Sequence, residues 1–195
     1  MIMGRPRAFD MDQALDQALN VFWAKGYEGT SIADLTAAMG INPPSVYAAF
    51  GNKETLFRKA LDRYEARRDE IFGEAFTAPT ARAAIEPLLT GMAERLTDKH
   101  TPHGCLMVQA ALAGGAECEA VKRDLAARRA AGEALIRERL KRAKREGDLP
   151  AAADPAVLAR FITTVMQGMA VQASGGASRK ELRDIADTAL RAWPA

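Results

Sequence analysis

Residues 30–57 constrain the fold of this chain more than any other segment. The stretch contains two short helical patterns separated by a glycine. Ser31 can accept a backbone N–H at a helix start, and Asp34 favours the positive end of the same helix. Apolar side chains then recur on one face, at Ile32, Leu35 and Met39. Gly40 tolerates positive φ and ends that helix in a sharp turn, so the segment predicts a helix-turn-helix unit.

A second short helix is predicted at about residues 44–49. Proline suits the first position of a helix, because its missing N–H would have no partner there, so Pro43 and Pro44 mark a start. Val46 and Phe50 share an apolar face of this helix. The side chains left to point away from that face are Ser45, Tyr47 and Ala48. They are mostly small, which lets the backbone approach a groove closely.

The next helix begins with a pattern typical of an anion site. Asn52 is a favourable N-cap, and Lys53 follows it directly. Free backbone N–H groups and an ammonium group therefore lie together, and a phosphate fits both.

The order of residues through this region resembles the DNA-binding part of the TetR/AcrR family of bacterial repressors. The matching positions are Gly26-Tyr27, Thr30-Ser31, Gly40, Ser45-Val46-Tyr47, Phe50, Lys53-Glu54 and Leu56-Phe57. The resemblance implies that Tyr47 and Lys53 contact phosphates, that Ser45 and Ala48 face bases or backbone, and that Thr30 anchors the DNA backbone. At Ala49 the family often has histidine, so a polar contact is absent there. The full set expected at the DNA is Arg5, Arg7, Thr30, Ser31, Pro44, Ser45, Tyr47, Ala48 and Lys53.

Arg5 and Arg7 enter this set because of the charge balance. Residues 8–60 hold four basic side chains against six acidic ones, so the domain alone would meet DNA with a slightly unfavourable field. Two arginines on a proline-stiffened stem can form an arm that follows phosphates or enters a minor groove. The alternative is a frayed terminus.

The bulk composition fits a small regulator. The chain has 195 residues, 48% of them hydrophobic, and a net charge of +2, which allows one or two domains with a real core. Two cysteines 13 positions apart fit a reducing cytoplasm better than a disulfide framework. We find no signal peptide, membrane-length apolar run, phosphate loop or CxxC pair, and we expect no cofactor, metal ion or catalytic centre.

The rest of the chain is predicted to be helical as well. The predicted helices span about 52–76, 80–98, 105–112, 117–146, 155–174 and 178–193. The fold is therefore all-α, with a helix-turn-helix domain at 1–51 and a helical ligand-sensing and dimerisation domain at 52–195. The helix at 117–146 carries many basic residues, but interspersed acids favour a solvated face over a second nucleic-acid surface.

The last two predicted helices are candidates for a dimer interface. Their wide apolar faces contain tightly packing small residues, which suits helix–helix association. The resemblance implies a four-helix bundle made by two such helices from each subunit. A two-fold pair also doubles the bases read by one short helix, so we expect a homodimer on a pseudo-palindromic operator. A charge at Met169 or Leu190 should then disrupt the dimer. The alternative is that these faces form the core of one subunit.

Between the two regions we predict an effector cavity. The expected lining residues are Phe72, Met92, Leu96, Cys105, Met107, Phe161, Met166 and Met169. Flexible methionines adapt to varied apolar ligands, although ordinary core packing explains each residue taken singly. Members of the resembling family bind drugs, metabolites, fatty acyl thioesters and signalling lactones, and no charge pair in the sequence selects among them.

Two other functions remain open beside the ligand-released repressor. One is a redox or electrophile switch at Cys105, which follows Gly104 at a helix start and has His103 nearby. Cys118 lies between Glu117 and Glu119, whose charges disfavour a thiolate. The other is a helical enzyme or binding protein with an accidental motif, but the sequence offers no paired carboxylates or nucleophile–base spacing.

Overall fold

The computed structural model describes residues 9–112 and 119–194. Within these ranges the chain forms nine α-helices, and the predicted all-α fold is confirmed. The helices are α1 (Met11–Lys25), α2 (Ile32–Met39), α3 (Pro43–Phe50), α4 (Lys53–Phe76), α5 (Ala81–Leu96), α6 (Leu106–Leu112), α7 (Glu119–Arg145), α8 (Pro155–Ser174) and α9 (Arg179–Arg191). None of the described helices is both long and apolar enough to cross a bilayer.

Local capping determines where most of these helices begin. In each case a side-chain oxygen accepts a backbone N–H of the first turn, which satisfies a donor that the helix itself leaves free. The capping residues are Asp10, Ser31, Asn42, Asn52, Thr80, Asp154 and Ser178. Helix α3 begins at Pro43, one residue before the predicted start, because Asn42 Oδ1 accepts the Ser45 N–H at 2.9 Å.

The turn between α2 and α3 has the predicted geometry. Gly40 adopts the left-handed conformation with φ 66° and ψ 25°, and its N–H donates to the Thr36 carbonyl. A side chain at this φ crowds the following carbonyl, so glycine is the residue that ends α2 at low cost.

Helices α1–α3 do not enclose a core by themselves. Phe22, Leu35 and Val46 from the three helices pack with residues from the first half of α4, which include the fully buried Phe57. Residues from α6 and from the start of α7 complete the same cluster. The proposed boundary between residues 51 and 52 therefore coincides with the start of α4, while the core continues across it.

A second core fills the C-terminal part. It joins the end of α4 with α5, α8, α9 and the second half of α7. Met169 and Leu190 lie in it with 0% and 6% of their surface exposed. The expectation that these two residues face a dimer partner is wrong, because their side chains pack in the core that α8 and α9 form with α5 within one subunit.

Ion pairs fasten α4 to its neighbours on two sides. Arg63 on α4 donates to both carboxylate oxygens of Asp16 on α1, at 2.6 and 2.7 Å, and this contact lowers the pKa of Asp16. Arg128 on α7 contacts Asp62 at 2.7 Å and also bonds Glu65, both on α4. Burial alone would lower the pKa of Arg128, but its hydrogen bonds to these acids raise it overall. Helix α4 is thus held at once by the N-terminal unit and by α7.

The turn at Gly40 can be tested against a matched glycine. Gly40→Ala should lower the free energy of unfolding by about 1 kcal/mol, because an alanine is strained at positive φ. Gly73 lies inside α4, and at both positions an added Cβ would meet no atom within 4 Å. Gly73→Ala should instead raise the free energy of unfolding by about 0.5–1 kcal/mol through helix propensity. Urea denaturation followed by circular dichroism measures both, and changes of the same sign would contradict this explanation.

Candidate functional site

Helix α3 presents two distinct faces. Val46 and Phe50 are 1% and 3% exposed and fix the helix to the N-terminal core. Pro44 and Ala48 are exposed, Ser45 is half-buried, and the Tyr47 side chain is 50% exposed. An exposed aromatic side chain with a hydroxyl, next to small residues, makes a surface that can lie against a groove.

The start of α4 adds a cation beside this surface. Lys53 is the first residue of the helix, and its Nζ lies 4.6 Å from the centre of the Tyr27 ring. Asn52 Oδ1 accepts the Thr55 N–H at 2.8 Å, which fixes the first turn. The ammonium group is therefore held near the N-terminus of α4, and the positive charge of Lys53 and the positive end of the helix both favour an anion.

Thr30 does not contribute to that surface. It is 1% exposed, and its hydroxyl donates to the Gly26 carbonyl at 2.6 Å. The expected contact between Thr30 and DNA is corrected by this burial, because the side chain ties α1 to the start of α2 and has no free face.

Ser31 is exposed but already engaged. Its Oγ accepts the Asp34 N–H at 3.0 Å, and the Asp34 carboxylate in turn accepts the Ser31 N–H at 2.9 Å. Hydrogen bonds from Lys25, followed by those from Ser31, hold the pKa of Asp34 well below its usual range. Ser31 thus builds the start of α2, and any DNA contact by its side chain would compete with this cap.

Arg5, Arg7, Glu117 and Cys118 lie outside the described residues.

A cavity of about 320 Å³ opens between α1, α4, α5, α6, α7 and α8. The structure brings together most of the residues predicted to line it. The predicted residues found in its wall are Phe72, Met92, Leu96, Cys105, Met107 and Met166. Its size falls in the range of small-molecule sites in proteins.

Phe161 and Met169 do not line this cavity, which corrects two predicted members. Helix α8 turns Thr163, Met166 and Ala170 towards the cavity. At 3.6 residues per turn Met169 then faces the core, and Phe161 lies on the outer surface with 42% exposed. Apolar character alone selected them, whereas the angular position around α8 decides which residues reach the cavity.

Polar residues in the cavity wall were missed from the sequence. Four of them are arginines: Arg67, Arg68, Arg95 and Arg129. Helical spacing contained a signal, since Arg95 follows Met92 by three positions and Arg129 follows Leu125 by four. Both arginines therefore stand on apolar stripes, where a solvated charge is not expected.

The N-terminal unit itself forms part of the cavity wall through Trp23 of α1. Its Nε1 donates to the Gly104 carbonyl at 3.2 Å, and its ring meets Tyr64 edge to face at 4.9 Å. The Tyr64 hydroxyl donates to Cys105 Sγ at 3.3 Å, and burial, followed by the influence of Cys105, raises the pKa of Tyr64. A molecule in the cavity would thus touch the helix that supports α2 and α3.

Comparison with known proteins agrees with this arrangement. Residues 14–60 match the family described as bacterial regulatory proteins, tetR family, and residues 81–189 match a tetracyclin repressor-like C-terminal domain. The HTH-type transcriptional repressor ComR of Escherichia coli (strain K12) is 38% identical over 98% of this chain and 92% of its own length. The chain belongs to the TetR family of transcriptional regulators. In this family member α2 and α3 form the helix-turn-helix.

Two further relatives extend the comparison. The repressor BdcR of the same Escherichia coli strain is 29% identical over 93% of this chain and 87% of its own length. A cysteine mutant of the TetR-family regulator CifR, complexed with a 26 bp double-strand operator DNA, has 48% identity and a TM-score of 0.93. That similarity covers 97% of this chain and 100% of CifR. The similarity to the TetR-family architecture therefore extends beyond the helix-turn-helix to the other described helices.

Proposed function

We propose that this TetR-family regulator is a repressor that binds a pseudo-palindromic operator as a homodimer and leaves it when the cavity takes up a small molecule. The observation that carries the proposal is the position of Trp23, which belongs to the DNA-binding unit and at the same time lines the cavity. ComR and BdcR are named as repressors, and CifR is complexed with operator DNA, which supports the first half of the proposal. We place the protein in the cytoplasm because a bacterial operator lies there.

At the DNA, phosphate contacts and base contacts have separate origins. Tyr47 and Lys53 bind phosphates, which fixes the register of the protein on the duplex. Pro44, Ser45 and Ala48 are small and let the backbone of α3 enter the major groove. Arg5 and Arg7 remain predicted contacts of the N-terminal arm.

Dimerisation uses the outer faces of α8 and α9. Exposed large apolar side chains are concentrated there, at Val157, Phe161, Val171 and Ile185. Such side chains cost free energy in water and mark an interface when they share a surface. Two copies related by a two-fold axis would bury them and present two α3 helices to two half-sites.

Release follows from the shared wall of the cavity. Trp23 and Tyr64 pack edge to face, and Tyr64 belongs to α4, which also carries the ion pair to α1. A ligand that binds better to one position of these side chains shifts the protein towards that position. The spacing of the two α3 helices in the dimer then no longer matches the operator.

A second candidate function is sensing of electrophiles or oxidants at Cys105. The observation that favours it is the position of Sγ in the cavity wall, where it accepts a hydrogen bond from Tyr64. Alkylation or oxidation of this sulfur would add bulk next to Trp23 and Tyr64 and so act on the same contacts as a bound ligand.

The phosphate role of Lys53 can be measured directly. Lys53→Ala should weaken binding to operator and to unrelated DNA alike, because a phosphate contact carries no sequence information. The slope of log affinity against log salt should fall by about one unit for each charge removed. Lys99→Ala, which removes the same charge from the exposed turn after α5, is the control. Unchanged affinity for Lys53→Ala in fluorescence anisotropy would remove Lys53 from the interface.

Phe161 is the residue that tests the dimer surface, because it is exposed whereas Met169 and Leu190 are buried within one subunit. Phe161→Asp should give a monomer in sedimentation experiments and lose operator binding with it, because the charge enters an apolar interface. Ala83→Asp puts the same charge on an exposed position of α5 and should change neither property. A monomeric Phe161→Asp protein that binds the operator fully would contradict the dimer proposal.

The cysteine candidate has its own readout. Iodoacetamide should label Cys105 faster than Cys118 at neutral pH, and Cys105→Ser should keep DNA binding while losing release by hydrogen peroxide. Equal labelling, or peroxide release that survives Cys105→Ser, would leave the cavity as the only input.

A further inference from the structure

Some of the charged residues in the cavity wall have no partner of opposite charge among the described residues. Two of the four arginines, both on α4, form ion pairs with acids. Arg67 bonds Asp16 at 3.0 Å, and Arg68 bonds Glu65 at 3.1 Å. Arg67 therefore holds α4 to α1, whereas Arg68 is paired with an acid one turn away on its own helix.

The other two arginines of the wall have no acid. Arg95 donates to the Leu88 carbonyl at 3.3 Å, and Arg129 donates to the Met107 carbonyl at 3.0 Å. Among the described residues, neither guanidinium group has a carboxylate within ion-pair distance. A neutral carbonyl satisfies one N–H of a group that carries five, so most of the donor capacity remains open.

The acids of the wall do not compensate them. Glu133 is bonded to Arg160 on α8 at 3.1 Å. Asp98 accepts the His100 N–H at 2.9 Å and forms no ion pair with any described residue. The wall thus contains two arginines and one acid that have no ion pair among the described residues, and the sum of these unpaired charges is positive.

The position of Arg95 depends on a glycine. A Cβ built at Gly91 would lie 2.6 Å from Arg95 Nη1, so an alanine there would displace the end of the Arg95 side chain. Arg95 is half-buried and lies in the cavity wall. Burial lowers the pKa of Arg95, which reflects the cost of a charge without a counter-ion.

The remainder of the cavity is apolar. Phe72, Leu96 and Ile136 are almost fully buried, and Met92 and Met166 add flexible side chains beside them. Thr163 adds a hydroxyl that has no hydrogen-bond partner among the described residues. A ligand that matches this wall is apolar over most of its length and negative at one end.

We propose that the cavity binds an amphipathic anion, a carboxylate on an apolar tail, with its charged head on Arg95 and Arg129. This inference rests on the proposed function of the cavity as the effector site. The proposed ligand differs from a purely apolar effector because the charge of its head group determines its affinity. A carboxylate also accepts two parallel N–H bonds from one guanidinium group, which adds geometric selectivity.

The test compares three head groups on one tail. Decanoate, decan-1-ol and decylamine are titrated into the full-length protein by calorimetry. Tryptophan fluorescence is the second signal, because Trp23 lies in the cavity wall and Trp193 does not. Decanoate should bind at least about tenfold more tightly than the alcohol, and the amine should bind more weakly still. Equal affinities for the three compounds, or no binding of decanoate, would overturn the proposal.

Variants locate the head group. Arg95→Leu and Arg129→Leu should each remove most of the preference for decanoate over decan-1-ol, whereas Arg95→Lys should retain part of it. Gly91→Ala should reduce the preference without removing a charge, because it displaces the Arg95 guanidinium group. Arg82→Leu removes an exposed arginine from the same helix and should leave the preference unchanged. A preference that survives both cavity variants would overturn the assignment.

DNA binding is measured separately on the same proteins. Anisotropy with DNA from upstream of the gene reports the proposed repressor function, and decanoate should lower that affinity in the parent protein but not in Arg95→Leu. If the protein does not bind this DNA, the proposed function fails while the calorimetric preference still decides the ligand class. If decanoate binds selectively but DNA affinity is unchanged, the assignment of this class as the effector is overturned.

Discussion

The backbone of Gly104 is the point at which the DNA-binding unit and the cavity are joined. Its carbonyl accepts the Trp23 indole N–H from α1, and its own N–H donates to the Leu96 carbonyl at the end of α5. Gly104 has φ 89°, and a Cβ there would lie 3.1 Å from the Ala170 carbonyl of α8. Three helices thus meet at a residue that must be glycine on both conformational and steric grounds. Gly104 and Trp23 both line the cavity, so the bond that positions α1 is part of the cavity wall.

Helix α4 carries this link to the rest of the molecule. Its first half belongs to the N-terminal core and its end to the C-terminal core, and ion pairs bind it to α1 and to α7. A partly buried network such as the one around Arg128 resists small adjustments, because removing one partner leaves a charge unpaired. Tightly packed interfaces of this kind move as units between discrete arrangements. We therefore expect a shift at Tyr64, in the middle of α4, to be transmitted along the helix and not absorbed locally.

Sequence rules were sufficient where the determinant was local. The caps at Ser31 and Asn52 and the turn at Gly40 depend on residues within one or two helical turns, and the structure confirms them. Thr30 was assigned incorrectly because its partner, the Gly26 carbonyl, is fixed by the way α1 meets α2. Met169 was assigned incorrectly because an apolar face on α8 can meet either its own subunit or a partner, and the sequence does not distinguish the two. The arginines of the cavity could not be predicted in the same way, because apolar spacing indicates only which apolar side chains share a face, whereas Arg95 and Arg129 reach the cavity through the way α5 and α7 pack.

In the proposed release mechanism, those arginines would change the energetics. A ligand can shift an equilibrium only by the difference in its affinity for the two states. An apolar ligand gains mainly from the area it buries, and that gain changes little when the walls move slightly. A bidentate bond to a guanidinium group depends on position over fractions of an ångström and is therefore sensitive to the same movement. Arg95 and Arg129 lie on α5 and α7, whereas Trp23 and Tyr64 lie on α1 and α4. A ligand with its head group on Arg95 and Arg129 and its tail against Trp23 and Tyr64 would bridge α5 and α7 to the DNA-binding unit. Such a bridge would couple the binding of a small ligand to the spacing of the two α3 helices in the dimer.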